Sequence, residues 1–178
     1  MQINKISMAK KTLLLLEKKS WKNISISSVL KNEKKTIIQN KTELLININR
    51  YFDYLLKKNL SNLEDSSKKD MLFEVFMARL DILNSYRKSI KNLLKYLSSN
   101  PQDFAKLFPS FAESIILMAT ISNIKVNGIK GLANIKVIMI LYFLIIYTWN
   151  KDETESLEKT MTTLDNYLTN FDKLSFVF

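Results

Sequence analysis

A short cluster of Lys, Thr and Gln side chains near the N-terminus has the residue types best suited to contact a polyanion. These residues are Lys34, Lys35, Thr36, Gln39 and Lys41. Lysine ammonium groups attract phosphates, and Thr or Gln side chains hydrogen-bond to phosphate oxygens or to base edges. The pattern therefore predicts contacts with nucleic acid, and its simpler alternative is a solvated protein surface.

A second set of residues, Phe and Met side chains in the remainder of the chain, has the character of an apolar ligand site. Pockets between helices are lined by such side chains with few polar groups. The alternative is that each of them belongs to the packed core. The predicted ligand-binding residues are Phe76, Phe104, Phe108, Phe111, Met118, Met139 and Phe143.

This chain contains few of the residue types that conventional catalytic mechanisms use. The sequence has no Cys and no His, which excludes thiolate metal sites, thiol catalysis and His-based triads. With only two glycines, Gly128 and Gly131, there is no glycine-rich phosphate loop. We therefore expect a protein that is not an enzyme, with no catalytic residue, no metal site and no cofactor.

The positive charge of the chain is concentrated at its beginning. Residues 1–60 contain 13 basic and 4 acidic residues, whereas residues 61–178 contain 14 and 13. Such an asymmetry indicates a polyanionic partner such as DNA, RNA or an acidic membrane. The alternative is mutational drift in an AT-rich genome, because 24 of the 27 basic residues are Lys.

Apolar residues recur at helical spacing almost everywhere, so we predict an all-α protein. Ser25 is a predicted N-cap of a short helix, and Asn40 with Glu43 forms a predicted capping box at the start of a long one. The last helix has a predicted coiled-coil-like apolar seam of Leu157, Met161, Leu164, Leu168 and Phe171. The predicted helices cover residues 4–19, a short segment after Ser25, 34–39, a long segment from Asn40, 67–83, 85–98, a segment from Asn100 that Pro109 breaks or kinks, 131–149, and a segment capped by Thr154.

The polar stretch 59–70 is weakly patterned and predicts a boundary between residues 1–60 and 61–178. The N-terminus lacks the features of a signal peptide, and the longest apolar run, residues 137–149, is short for a membrane span. We therefore expect a cytoplasmic protein without stable membrane insertion.

The order of three short helices, a long fourth helix and a larger helical domain resembles the TetR family of transcription regulators. The similar residues are Ile24-Ser25-Ile26 before Val29-Leu30, then Thr36-Ile37-Ile38, then Lys41-Thr42-Glu43-Leu44-Leu45. The resemblance implies a helix-turn-helix (HTH) type DNA-binding domain in residues 1–60. It also implies a domain in residues 61–178 that binds a ligand and forms a homodimer, with Lys41 similar to a lysine that contacts a phosphate.

Two features separate this chain from the family pattern. The turn at residues 32–35 is shorter than usual and lacks the family's glycine. The recognition helix, residues 34–39, would have fewer than two turns. We therefore expect weak DNA binding with little sequence preference.

Asp152, Glu153, Glu155 and Thr160 resemble a segment of a TetR-fold accessory protein of ubiquinone biosynthesis. That resemblance implies the alternative function, a lipid-binding protein that does not bind DNA.

Overall fold

The computed structural model describes residues 3–30, 38–62 and 64–173, with side chains described as far as residue 170. In these residues the regular structure is entirely helical, which confirms the all-α prediction. The helices are α1 (Ile3–Lys18), α2 (Ile26–Leu30), α3 (Lys41–Asn59), α4 (Lys68–Asn84), α5 (Arg87–Ser98), α6 (Pro101–Ala105), α7 (Phe108–Ile121), α8 (Gly128–Lys151) and α9 (Glu158–Lys173), with a 3-10 turn at Trp21–Asn23.

Local sequence signals account for several of these helix starts. The Ser28 N–H donates to Ser25 Oγ at 3.2 Å, so Ser25 caps α2 as predicted. Pro101 occupies the first turn of α6, and Pro109 follows Phe108 at the start of α7. Both prolines therefore begin helices, at positions where the missing N–H has no intrahelical partner.

Asn127 is the N-cap residue of α8, and the helix is longer than the predicted span 131–149. Gly128 has a φ of +72°, a conformation that glycine adopts without steric cost. A Cβ atom on Gly131 would lie 2.2 Å from the carbonyl carbon of Val126, so this close approach requires glycine. By length and composition alone, α8 is the one helix among the described residues that could span a membrane.

The described residues form two compact units that do not follow the sequence order. Unit 1 comprises Met1–Leu55 and Ile82–Phe111, and unit 2 comprises Leu56–Asp81 and Ala112–Phe178. Residues 82–111 thus join the N-terminal segment, whereas the predicted boundary assigned them to the second domain. The functional division at residue 60 stays a prediction.

The core of unit 1 is built around the packing of α1 on α5. Both helices contribute one apolar face, and two side-chain hydrogen bonds join them. Ser89 donates to the carbonyl of Leu13 at 2.7 Å, and Asn92 donates to that of Leu16 at 2.7 Å. The buried core residues of these helices are Met8, Ala9, Leu13, Leu16, Ile90, Leu93 and Leu97.

The core of unit 2 includes the contact of α8 with α9. In the predicted seam of the last helix, Leu157, Leu164 and Leu168 are buried, whereas Met161 is 40% exposed. The predicted seam residue Phe171 lies outside the side chains that the structure describes. The described leucines of this seam therefore belong to the core of the unit rather than to its surface.

Candidate nucleic-acid interface

Three of the five predicted DNA contacts, Lys34, Lys35 and Thr36, lie outside the described residues. The predicted helix 34–39 is likewise outside them, except for its last two residues. Ile38 and Gln39 are described and have non-helical backbone, and Ile38 is buried. The structure therefore places Gln39 in the link before α3 and not on a helix.

The link into α3 is held by the predicted capping box. The Glu43 N–H donates to Asn40 Oδ1 at 2.9 Å, and the Asn40 amide donates to Glu43 Oε1 at 2.9 Å. Glu43 Oε2 also accepts the backbone N–H of Gln39 at 2.7 Å. These bonds satisfy donors that a helix start leaves without partners, and they fix the backbone of Gln39.

Lys41, the fifth predicted contact, turns its ammonium group toward the protein. Nζ donates to the carbonyl of Trp21 at 2.8 Å and to that of Lys22 at 3.3 Å, and it lies 5.0 Å from the centre of the Trp21 ring. Burial lowers the pKa of Lys41, while Asp103 acts in the opposite direction. Lys41 is thus bound to the 3-10 turn. This is a structural role for a residue that the sequence analysis predicts to contact a phosphate.

The positive charge is separated more completely between the two compact units than between residues 1–60 and 61–178. Unit 1 contains 16 basic and 5 acidic residues, a formal charge of +11, whereas unit 2 contains 11 basic and 12 acidic residues, a charge of −1. The whole excess positive charge of the protein therefore belongs to the unit that contains α1 and α2. A polyanion would be attracted to this unit.

Helix α5 contributes basic residues to unit 1 that the sequence analysis did not single out. Its cations are Arg87, Lys88, Lys91 and Lys95, and the segment Arg87–Ser98 has no acidic residue. Its apolar residues face the core at helical spacing, so the lysines lie on other faces. This segregation of charge is visible in the sequence, but its proximity to α1 is not.

A hollow of about 300 Å³ lies in unit 1 where the end of α5 meets the chain after α1. Lys22 and Lys95 are the charged residues of its lining, and both are exposed. The other lining residues are Ser20, Asn92, Tyr96, Ser99 and Asn100. The lining residues are therefore polar or basic in type, and none of them is a carboxylate.

The predicted ligand-binding residues fall into two groups. In unit 1 the ring centre of Phe104 lies 5.6 Å from that of Phe108 and 5.8 Å from that of Phe111. Phe108 is 44% exposed, so this cluster reaches the surface. The three rings lie close together in the unit that also contains α1. A ligand site that includes them stays a prediction.

The other four predicted ligand residues belong to unit 2. Phe76 and Met118 are fully buried, and the Phe76 ring lies 6.2 Å from that of Tyr142. Met139 and Phe143 are half-buried. An enclosed apolar site that includes these side chains stays a prediction.

The buried carboxylate of Asp152 joins the end of α8 to α9. Oδ1 accepts from the Thr154 hydroxyl at 2.6 Å and its N–H at 3.1 Å, and Oδ2 accepts from the hydroxyl and N–H of Thr160, both at 2.8 Å. Burial alone would raise the pKa of Asp152, but these hydrogen bonds hold it well below its usual range. This geometry explains the Asp152 and Thr160 pattern as a structural link between helices.

The start of α9 differs from the prediction in its position. Thr154 Oγ1 accepts the N–H of Glu158 at 3.0 Å, so Thr154 bonds to the first residue of the helix. The helix begins only at Glu158, because Asp152 engages Thr154 and Leu157 has a φ of +55°.

Comparisons with known proteins identify the fold. No protein-family model matches the chain, and no curated protein matches it in sequence. The structure is similar to the crystal structure of the TetR transcriptional regulator from Nitrosomonas europaea ATCC 19718. The TM-score is 0.72 with 14% identity, over 93% of this chain and 96% of that one. The protein therefore has a TetR-like, all-α fold.

Proposed function

We propose that this protein is a TetR-like transcriptional regulator with a shortened DNA-binding element. The observation that carries the proposal is the formal charge of +11 on unit 1, set against −1 on unit 2. In this proposal the capped helix α2 is the first HTH helix, and the predicted recognition segment follows it. Phosphate attraction accounts for most non-specific DNA affinity, so a basic unit suffices for weak binding.

The regulator proposal is tested by fluorescence anisotropy with two labelled duplexes across a NaCl series. One duplex has random sequence, and the other is DNA from upstream of the protein's own coding region. Weak binding to both that declines steeply with salt supports a degenerate element. A clear preference for the upstream duplex supports a working regulator, and no binding to either duplex refutes the proposal.

The proposed regulator is a homodimer formed through the outer face of α8. Exposed residues recur along this face at steps of three and four, and they end with Ile140, Leu144 and Tyr147. Tyr147 is 60% exposed and Ile140 is 58% exposed in the single chain. Burial of this apolar surface would stabilise the protein. In the most apolar 18-residue stretch of α8, only 33% is buried in the single chain. A second copy that packs on this face would remove it from water.

Charge on α9 favours the same arrangement. Lys136 and Lys151 flank the apolar residues of the α8 face, whereas α9 begins with the exposed Glu158, followed by the exposed Lys159. Asp165 on α9 already lies 3.8 Å from Lys69 Nζ of the same chain. In a two-fold bundle of two α8 and two α9 helices, basic residues of one copy can meet acidic residues of the other. The proposed dimer would therefore be apolar at its centre and complementary in charge at its rim.

The proposed effector is a hydrophobic small molecule or lipid bound near Phe76, Met118, Met139 and Phe143. Met139 and Phe143 lie on α8, and the Phe76 ring lies 6.2 Å from that of Tyr142 on the same helix. Native mass spectrometry of protein purified from cells tests this part of the proposal. An adduct that organic extraction removes supports it, whereas a bare chain together with no melting-temperature shift by any hydrophobic probe refutes it.

The second candidate is a lipid-binding accessory protein of ubiquinone biosynthesis that does not bind DNA. The specific observation in its favour is that Lys41 and the Gln39 backbone are engaged within the protein. Absence of DNA binding together with a co-purifying prenylated lipid would favour this candidate over the regulator.

A further inference from the structure

The hollow at the end of α5 combines exposed cations with a fixed framework. Asn92 is held by the carbonyl of Leu16, and Asn100 is held by that of Tyr96 at 2.7 Å. The Tyr96 ring packs 6.5 Å from that of Trp21, and its hydroxyl donates to Asp103. The walls of the hollow are therefore set by the fold before any ligand arrives.

Lys41 contributes to this framework without lining the hollow. Its ammonium group holds the carbonyls of Trp21 and Lys22, and Lys22 is the residue whose side chain lines the hollow. Lys41 is thus a positioning residue for the backbone that carries Lys22. Lys41, which the sequence analysis predicts to contact phosphate, thus supports the backbone of a lysine that faces solvent.

The balance of charge around the hollow is positive. Among the described residues, neither Lys22 nor Lys95 is paired with a carboxylate. The nearby carboxylate of Asp103 is occupied by Lys106 at 2.8 Å and by the Tyr96 hydroxyl. Two ammonium groups and the hydroxyl of Ser20 thus border one space, a donor set that matches an oxyanion. The Ser99 hydroxyl donates to the carbonyl of Lys95 at 3.4 Å and belongs to the framework.

We propose that the hollow lined by Lys22 and Lys95 binds a phosphate group. A volume of about 300 Å³ admits a phosphate with part of the molecule that carries it. The phosphate belongs either to a nucleic-acid backbone or to a small phosphorylated molecule. The nucleic-acid source rests on the proposed regulator function, and the small-molecule source does not.

The test compares the wild-type protein with the double variant Lys22→Gln/Lys95→Gln. The matched control is Lys125→Gln/Lys130→Gln, which removes two exposed lysines from unit 2. Anisotropy with a random duplex gives the slope of log K against log[NaCl]. Loss of two phosphate contacts makes that slope shallower by about 1.8, and the control leaves it unchanged. Because the duplex is random, this result does not depend on recognition of an operator.

A second measurement identifies a small-molecule source. Sodium phosphate, compared with NaCl at equal ionic strength, should raise the melting temperature of the wild-type protein and of the control but not of the double variant. A phosphate effect without a change in DNA slope assigns the hollow to a phosphorylated small molecule. A double variant that matches the wild-type protein in both measurements overturns the proposal.

The charge-preserving variant Lys22→Arg/Lys95→Arg separates binding from folding. Both side chains are exposed, so we expect it to fold and to keep the wild-type salt slope. A loss of slope in this variant as well as in the Gln variant would mean that the substitutions damage the fold, and would overturn the assignment of the lost affinity to the two charges.

Discussion

The Nζ atom of Lys41 lies 2.8 Å from the carbonyl oxygen of Trp21 and 5.0 Å from the centre of that residue's indole ring. The two residues are 20 positions apart and belong to different elements, the 3-10 turn and the first turn of α3. Trp21 is itself 2% exposed. The pair therefore ties the end of the α1 segment to the start of the long helix.

Replacement of Lys41 by Met should destabilise the protein. A hydrogen bond to a charged group contributes about 1.5–3 kcal/mol, and Met keeps most of the apolar stem. We expect a loss of this size in the free energy of unfolding, measured by urea denaturation. Lys10→Met, at an exposed position of α1, is the control and should change stability by less than about 0.5 kcal/mol. Equal stability of the two variants would show that the Lys41 bond contributes nothing.

The helices of this protein were largely predictable, because their signals are local. Apolar spacing located α1, α4 and α5, and the capping residues Ser25 and Asn40 marked two helix starts correctly. Each of these features depends on residues within one or two turns. Their agreement with the structure follows from that short range.

The arrangement of charge and the direction of Lys41 could not be predicted in the same way. Whether residues 82–111 pack on α1 depends on contacts across about 75 residues of sequence, such as that of Ser89 with Leu13. A lysine side chain is long enough to reach either solvent or a nearby carbonyl, and the partner that decides between them is 20 residues away. Sequence spacing alone does not contain that information.

Replacement of Asp152 by Asn should destabilise the protein most at neutral pH. The carboxylate accepts four hydrogen bonds from Thr154 and Thr160, and an amide nitrogen in place of Oδ2 cannot accept those from Thr160. We expect a loss of at least about 2 kcal/mol at pH 7. Urea denaturation measures it, and Glu155→Gln, at an exposed position, is the control.

The effect of Asp152 should also depend on pH, in a direction set by its lowered pKa. A group whose pKa is lower in the folded state stabilises the protein above its unfolded-state pKa, which is about 3.9. That contribution is lost as the pH falls below about 4. The difference in stability between wild type and Asp152→Asn should therefore be constant from pH 7 to pH 5 and shrink below pH 4. A difference that grows as pH falls would mean that Asp152 is protonated in the native state.

Phe76 and Phe108 should differ sharply when each is replaced by Ala. Phe76 is 1% exposed, and loss of a fully buried Phe costs about 3–5 kcal/mol, whereas Phe108 is 44% exposed and should cost far less. Urea denaturation of the two variants measures both effects. If Phe76 also lines a ligand site, the variant should lose any melting-temperature increase that a hydrophobic ligand produces in the wild type. A small cost at Phe76 would point to an existing cavity beside it.

A charge placed on the outer face of α8 should prevent the proposed homodimer. Ile140 is 58% exposed in the single chain, so Ile140→Glu costs little stability in a monomer. At the centre of an apolar interface, however, an unpaired carboxylate is strongly unfavourable. Leu14→Glu is the matched control, because Leu14 is also 58% exposed but lies on α1. Light scattering at micromolar concentration should give twice the 20.8 kDa chain mass for the wild type and the control, and the single mass for Ile140→Glu. A wild-type protein of 20.8 kDa would exclude the dimer, and a dimeric Ile140→Glu variant would exclude this face as its interface.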